Sequence, residues 1–363
     1  MHMADALLSP AVGGTMWAVS AATIAYCSKK VRTEMDDHKI PLMGVLGAFI
    51  FTAQMINFTI PVTGSSGHLG GGLILAILLG PSAAFLTIAS VLVVQAFFFA
   101  DGGLLALGCN IFNLGFLPAF IAYPLVYKKI AGSEQSPTRI PVASISAAII
   151  ALQTGSFAVV METVSSGISS LPFSAFLLIM QPIHLAIGAV EGVVTAAVIS
   201  FLHKAKPEIM SNATGSPPHN TPAMRTTILG FLAVILLMGG VVSRFASDLP
   251  DGLEWSISKV SGQEEPHDPK PGIHGSLASL QQKLSFLPGY SFRKPSGVKP
   301  AEGTAIPSTN QPHPKEPERG GNKSSTSVSG IAGGGLTLGL LFIIGFMLKQ
   351  RNRMRSRDAG TDG

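Results

Sequence analysis

The chain of 363 residues is 47% hydrophobic and only 12% charged, against roughly 25% charged in an ordinary soluble domain. That composition excludes a water-soluble globular protein and points to an integral membrane protein. The net charge of +5 does not imply a nucleic-acid partner, because basic excess in a membrane protein gathers in cytoplasmic loops.

The first residues, Met1-His2-Met3-Ala4-Asp5, lack the basic n-region and cleavage site of a secretory signal. The bulky His2 is expected to protect Met1 from removal. A bilayer core of about 30 Å needs roughly 20 apolar residues as helix, and residues 11–28, 40–60, 82–100, 104–127, 140–162, 173–202, 226–243 and 329–348 qualify. Leu69 to Leu79 is apolar but short, and it ends at Gly80-Pro81; at 1.5 Å per residue it spans about 16 Å. Cys27 and Cys109 fall in apolar stretches and read as small buried hydrophobes rather than metal ligands or a disulfide.

Lys and Arg should collect in alternate loops. They do so at Lys29, Lys30, Arg32 and Lys39; at Lys128, Lys129 and Arg139; at Lys204, Lys206 and Arg225; and in the tail from Lys349 to Arg357, whereas loops 61–68, 101–103 and 163–172 carry none. The alternation requires 69–79 to count as a crossing. The expected fold is therefore an all-α integral membrane protein, a helical bundle of about nine membrane segments with one short, plus a largely disordered external region. The N-terminus lies outside, the C-terminus in the cytoplasm, and the loop Pro61 to His68 dips into the membrane, where non-helical backbone must be buried in protein or line a cavity.

The Pro/Ser/Asn-rich stretch after Ala205 reads as a linker. The chain then divides into a membrane domain at 1–205, a cytoplasmic linker at 206–225, a second module at 226–348 with two membrane helices, and a basic tail at 349–363. Within the second module, residues 295–327 are rich in Pro, Gly, Ser, Thr and Lys and read as disordered.

Met1 and His2 together offer a metal a terminal amine, a deprotonated backbone amide and a ring nitrogen, arranged as fused five- and six-membered chelate rings in one plane. Deprotonating an amide requires a metal such as Ni(II) or Cu(II), which favours tetragonal nitrogen sets. The fourth position is vacant, and His68, sunk into the membrane from the same side, suits it. Taken alone, His2 reads more plainly as part of a disordered terminus; His68 does not, because an ionisable group at membrane depth is a functional candidate.

Several stretches resemble the CbiM/NikM family, the substrate-capturing membrane components of energy-coupling-factor nickel and cobalt transporters. They are Met1 to Pro10, Gln54-Met55-Ile56-Asn57-Phe58, Ser66-Gly67-His68-Leu69, Gln95 to Gly103 and Asn110-Ile111-Phe112-Asn113, within about residues 1–205. Pro250-Asp251-Gly252-Leu253-Glu254-Trp255 resembles the short motif of the family's small accessory N-type component, here fused in the same chain. The resemblance implies Met1, His2 and His68 as ligands to Ni(II) or Co(II) as transported substrate, without an organic cofactor. It also implies ATPase subunits and a transmembrane coupling subunit as partners in the plasma (inner) membrane. The family usually begins His-Ile-Pro-Asp where this chain has His2-Met3-Ala4-Asp5; the ligand atoms are unaffected.

Asn57, Ser66, Gln95 and Asn110 are expected to support the ligands, since ligating histidines need outer partners. Glu162, His184 and Glu191 are the candidates for a proton relay, but His184 and Glu191 fit interhelical hydrogen bonding better. His38, His203, His219, His267, His274 and His313 are expected in loops or linkers without metal. A phosphate-cradling G-x-x-x-x-G-K-[ST] loop is absent, Gly320-Gly321-Asn322-Lys323-Ser324 having the wrong spacing, so the chain is expected to be a non-enzyme whose ATP is hydrolysed elsewhere. The competing readings are a proton-coupled secondary metal transporter and a membrane metal sensor or scaffold.

Overall fold

The computed structural model describes residues 1–34, 39–132, 136–205, 221–262, 272–292 and 323–358. The linker expected at 206–225 falls largely outside the described residues, as do most of the stretch expected to be disordered and His38, His219, His267 and His313.

A helical bundle forms from α1 (Pro10–Thr33), α2 (Lys39–Gln54), α3 (Gly72–Leu79), α4 (Pro81–Phe99), a long helix beginning as α5 (Leu107–Ile111), α7 (Ile140–Ser166) and α8 (Phe173–Ala205). The long helix is wound with wider π turns over Phe112–Tyr127, where it carries Pro118 and Pro124, and ends as α6 (Lys128–Ala131). Two more long helices follow, α9 (Thr221–Gly240) and α12 (Lys323–Asp358), with α10 (Gly252–Ser261) and α11 (Ile273–Leu284) between them. Among the described residues, six helices are long and apolar enough to cross a membrane. The other three expected segments are helical only in part or fall short: α2 has 16 residues and stops at Gln54, so that residues 55–60 of the segment expected at 40–60 leave the helix, α3 has 8 residues, and α1, though 24 residues long, is less apolar.

The short α3 sits at the centre, with all eight residues buried. Gly71 precedes it and Gly80 ends it, both at positive φ, the backbone region where glycine has no side chain to clash. A Cβ on Gly72 would strike the Leu114 carbonyl of the π-wound helix, so this glycine is what lets α3 lie so close. Pro81 opens α4 immediately afterwards, a position where its missing N–H costs nothing.

Around this centre, α8 presses Gly188 and Gly192 onto the α7 backbone at Ile149 and Ile145. The same close approach through small residues joins α9 to α12, where a Cβ on Gly330 would lie 2.8 Å from the Gly239 Cα.

In the region expected to be external, the described residues include the helices α10 and α11. Residues 323–327, expected to be disordered, form the first turns of α12. His203 and His274, expected in loops, lie in α8 and α11.

Candidate metal centre

The loop after α2 folds into a hairpin of β1 (Phe58–Ile60) and β2 (Ser65–Gly67), with Ser66 opposite Thr59. Exposed Val62 takes a positive φ at its tip. The strand β2 is buried throughout, and His68 follows it, 8% exposed.

The backbone beyond His68 is held by Glu191 on α8, whose carboxylate accepts the N–H groups of Gly70 at 2.8 Å and Gly71 at 3.0 Å. The intramembrane carboxylate thus has a hydrogen-bonding role, directed at the loop that carries His68. A Cβ at Gly70 would lie 3.2 Å from a Glu191 oxygen.

The N-terminal segment is drawn into the bundle. Met3 is fully buried, its N–H donates to Asn110 Oδ1 at 2.8 Å, and its carbonyl accepts the Gly103 N–H at 2.9 Å. Asp5 accepts the Ala106 N–H at 3.0 Å, and a Cβ on Gly103 would collide with the Asp5 carboxyl and backbone nitrogen. The sequence Asp101-Gly102-Gly103 is therefore a seat for the chain terminus.

These anchors bring Met1 and His2 to His68. The Met1 amine lies 2.9 Å from His68 Nε2, while His68 Nδ1–H donates to the Leu69 carbonyl at 3.1 Å, leaving the lone pair on Nε2. The His2 and His68 rings stack with centroids 5.0 Å apart and planes 23° from parallel. His2 Nε2–H donates to Gln95 Oε1 at 3.2 Å; Gln95 in turn donates to Gln54 at 2.9 Å, and Gln54 to the Gly70 carbonyl at 2.8 Å. That chain leaves the His2 lone pair on Nδ1, the nitrogen a six-membered chelate ring needs. Nδ1 is 3.5 Å from an Asp101 oxygen, and Tyr290 donates to the other Asp101 oxygen. Burial pushes the His2 imidazole down to about 4 against the pull of Asp101, so the ring is neutral at physiological pH.

The expected supporting residues divide. Gln95 reaches His2 and Asn110 reaches Met3. Ser66 joins the hairpin to the second module: its N–H donates to the Pro250 carbonyl at 2.8 Å and its Oγ to the Leu249 carbonyl at 2.7 Å. Asn57 turns to the same module, its carbonyl accepting the Ser247 N–H at 2.8 Å.

Asp251, quoted from the sequence only as part of a motif, lies at the centre. Its Oδ1 caps α10 by accepting the N–H groups of Leu253 and Glu254 at 2.8 and 2.9 Å, and Glu254 returns the contact to the Asp251 N–H at 3.2 Å, a capping box. Its Oδ2 is 3.0 Å from the Met1 amine and 3.8 Å from His68 Nε2. Burial favours the neutral carboxyl, but the ammonium and His68 outweigh it and hold Asp251 well below the usual carboxylate range.

The second module also grips the seat of the N-terminus. His274 Nε2 lies 2.8 Å from the Leu8 carbonyl, and Gln281 donates to the carbonyls of Ala96 and Gly102 at 2.9 and 2.7 Å. A cavity of about 10 Å³ is lined by Met1, His68, His184 and Asp251 among others; His184 turns Nδ1 to the Met180 carbonyl at 2.8 Å. A larger recess of about 430 Å³ opens beside it, lined in part by His2, Asp5, Asp101, Asp251, Glu254 and Tyr290. Among the described residues no three His, Cys, Asp or Glu side chains converge as a metal group, so any site here depends on the main-chain nitrogens of Met1 and His2.

The described residues form a helical bundle with six helices long and apolar enough to cross a membrane, and its first residues sit beside the buried His68. The chain belongs to the CbiM family, cobalt uptake substrate-specific transmembrane region, whose model matches residues 2–209; a PDGLE domain matches residues 225–350. A putative metal transport protein of Haloquadratum walsbyi is 35% identical over 58% of this chain and 93% of its own length. The fused nickel transport protein NikMN of Rhodobacter capsulatus is 29% identical over 80% of this chain and 88% of its own. A crystal structure of a transition metal transporter aligns with a TM-score of 0.51 at 28% identity, covering 57% of this chain and 95% of that one. The chain is thus a nickel/cobalt transport membrane protein of the fused type.

Proposed function

We propose that this chain is the substrate-capturing component of an ATP-driven energy-coupling-factor transporter. It takes Ni(II) or Co(II) from outside into a square plane of four nitrogens: the Met1 amine, the His2 amide and Nδ1, and His68 Nε2. The observation that carries this reading is the approach of the Met1 amine to 2.9 Å from His68 Nε2, with the His2 ring stacked alongside. Two nitrogens close enough to share a proton are close enough to share a metal. The His2 ring then turns from Asp101 so that Nδ1 enters the plane. Ligands must be deprotonated to bind, so loading releases protons from the amine and the amide.

Separate ATPase subunits and a transmembrane coupling subunit supply the energy, with the N-terminus outside and the C-terminus in the cytoplasm. The domain division is the membrane unit at 1–205, the linker at 206–225 and the accessory module at 226–348. The planar nitrogen set favours Ni(II), as do the relatives described as fused nickel transport proteins; low-spin Co(II) accepts the same ligands.

One residue added before Met1 moves the amine out of chelating position, so uptake of radioactive nickel by cells carrying that variant is expected to vanish. Undiminished uptake would sink the planar geometry. Uptake that survives loss of the ATPase subunits would favour a proton-coupled carrier instead.

A further inference from the structure

We propose that Asp251, from the accessory module, is the resident counter-charge of the metal site and the group that positions the Met1 amine. This rests on the reading that Met1, His2 and His68 hold the metal. Its Oδ2 lies 3.0 Å from the Met1 amine and 3.8 Å from His68 Nε2. A metal shared by those two nitrogens therefore falls beside Asp251.

A divalent cation held by these nitrogens would sit against the carboxylate, which offsets positive charge in an interior where an unpaired charge is costly. The same Oδ2 accepts from the Met1 amine and so aims that nitrogen, and outer partners of this kind typically raise metal affinity about 10- to 100-fold.

The carboxylate is held in place from its other oxygen. Oδ1 accepts two α10 N–H groups, and the segment preceding it is pinned to Ser66 through the Pro250 and Leu249 carbonyls at 2.8 and 2.7 Å. Asp101, the other carboxylate near His2, is less suited to the task. Its side chain is more exposed, 24% against 15%, it takes the Tyr290 hydroxyl, and it flanks the ring that turns away on loading.

The test is Ni²⁺ titration of the purified full chain by calorimetry, together with its visible absorption, for wild type, Asp251→Asn, Asp251→Glu and His68→Ala. Asn caps helices as well as Asp does, so Asp251→Asn removes the charge while keeping the α10 start. The expected result is Ni²⁺ affinity about 10- to 100-fold weaker in Asp251→Asn, with the planar absorption band unchanged and most of the affinity restored in Asp251→Glu. Wild-type affinity in Asp251→Asn, alongside loss in His68→Ala, overturns the counter-charge while leaving the ligand set standing. A changed band in Asp251→Asn also overturns it, because Asp251 would then be a ligand. Retained affinity in His68→Ala removes the underlying site. If Asp251→Asn does not fold, Asp251→Glu decides: retained affinity supports the proposal, and a loss as deep as that of His68→Ala overturns it.

Discussion

Gln95 illustrates how a neutral side chain can choose which ring nitrogen of a histidine keeps its lone pair. Its own amide is oriented by Gln54, which is fixed by the Gly70 carbonyl, so Gln95 presents an oxygen to His2 and the ring proton goes to Nε2. In Gln95→Leu that preference is lost and the Gln54 oxygen is left without its donor. Ni²⁺ affinity of the purified protein is expected to fall about 10- to 100-fold, measured by calorimetry; an unchanged affinity would mean that the tautomer is set elsewhere. Gly103 is constrained more severely, because a methyl group there must displace Asp5. Gly103→Ala is expected to abolish nickel uptake while leaving His68 in place, and uptake at the wild-type level would show that the seat of the terminus can shift without harm.

At the scale of elements, the hairpin and α3 are positioned by a carboxylate from another helix. Glu191 accepts two adjacent, buried backbone N–H groups, and each buried donor left unmade costs about 1–3 kcal/mol. Glu191→Leu strands both donors, whereas Glu191→Gln keeps one acceptor oxygen. Thermal unfolding in detergent should rank wild type above Glu191→Gln and that above Glu191→Leu. Equal melting temperatures for the two variants would argue that the contacts are dispensable. Much at this scale was legible from residue order alone. Apolar runs and alternating basic loops located nine helical segments, and the brevity of 69–79 announced a buried break ending at Gly80-Pro81. The wide winding of Phe112–Tyr127 was not legible, because apolar content alone does not distinguish α from π turns. The order of α10 and α11 was masked by their polar composition; the signal available was the capping pair Asp251 and Glu254 just before Trp255.

At the scale of the whole molecule, the two modules meet at the hairpin. Met1, His2 and His68 could be grouped from chelate geometry and topology, and Ser66, Gln95 and Asn110 from their neighbourhoods. Asp101 and Asp251 could not, because their role depends on contacts across the fold; the Met1 to Asp251 contact spans 250 positions, a pairing that no local pattern encodes. The docking can be tested where Thr59 Oγ1 donates to Ser247 Oγ at 3.0 Å, an exposed pair. With both residues changed to cysteine, an intramolecular disulfide is expected on mild oxidation, read as a mobility shift reversed by reductant. The native cysteines, Cys27 and Cys109, are buried and do not compete. Failure to form the bond would count against the modules being seated as described.

The segment that carries Asp251 to Ser66 belongs to the same chain as His68. Its docking is therefore governed by tether length rather than by the abundance of a second protein, and effective concentrations for such tethers reach the millimolar range. Gene fusion fixes the ratio of the two modules at one to one, so every copy inserted in the bilayer carries its own Asp251, and dilution of the membrane protein cannot separate the capturing loop from the residue that faces it.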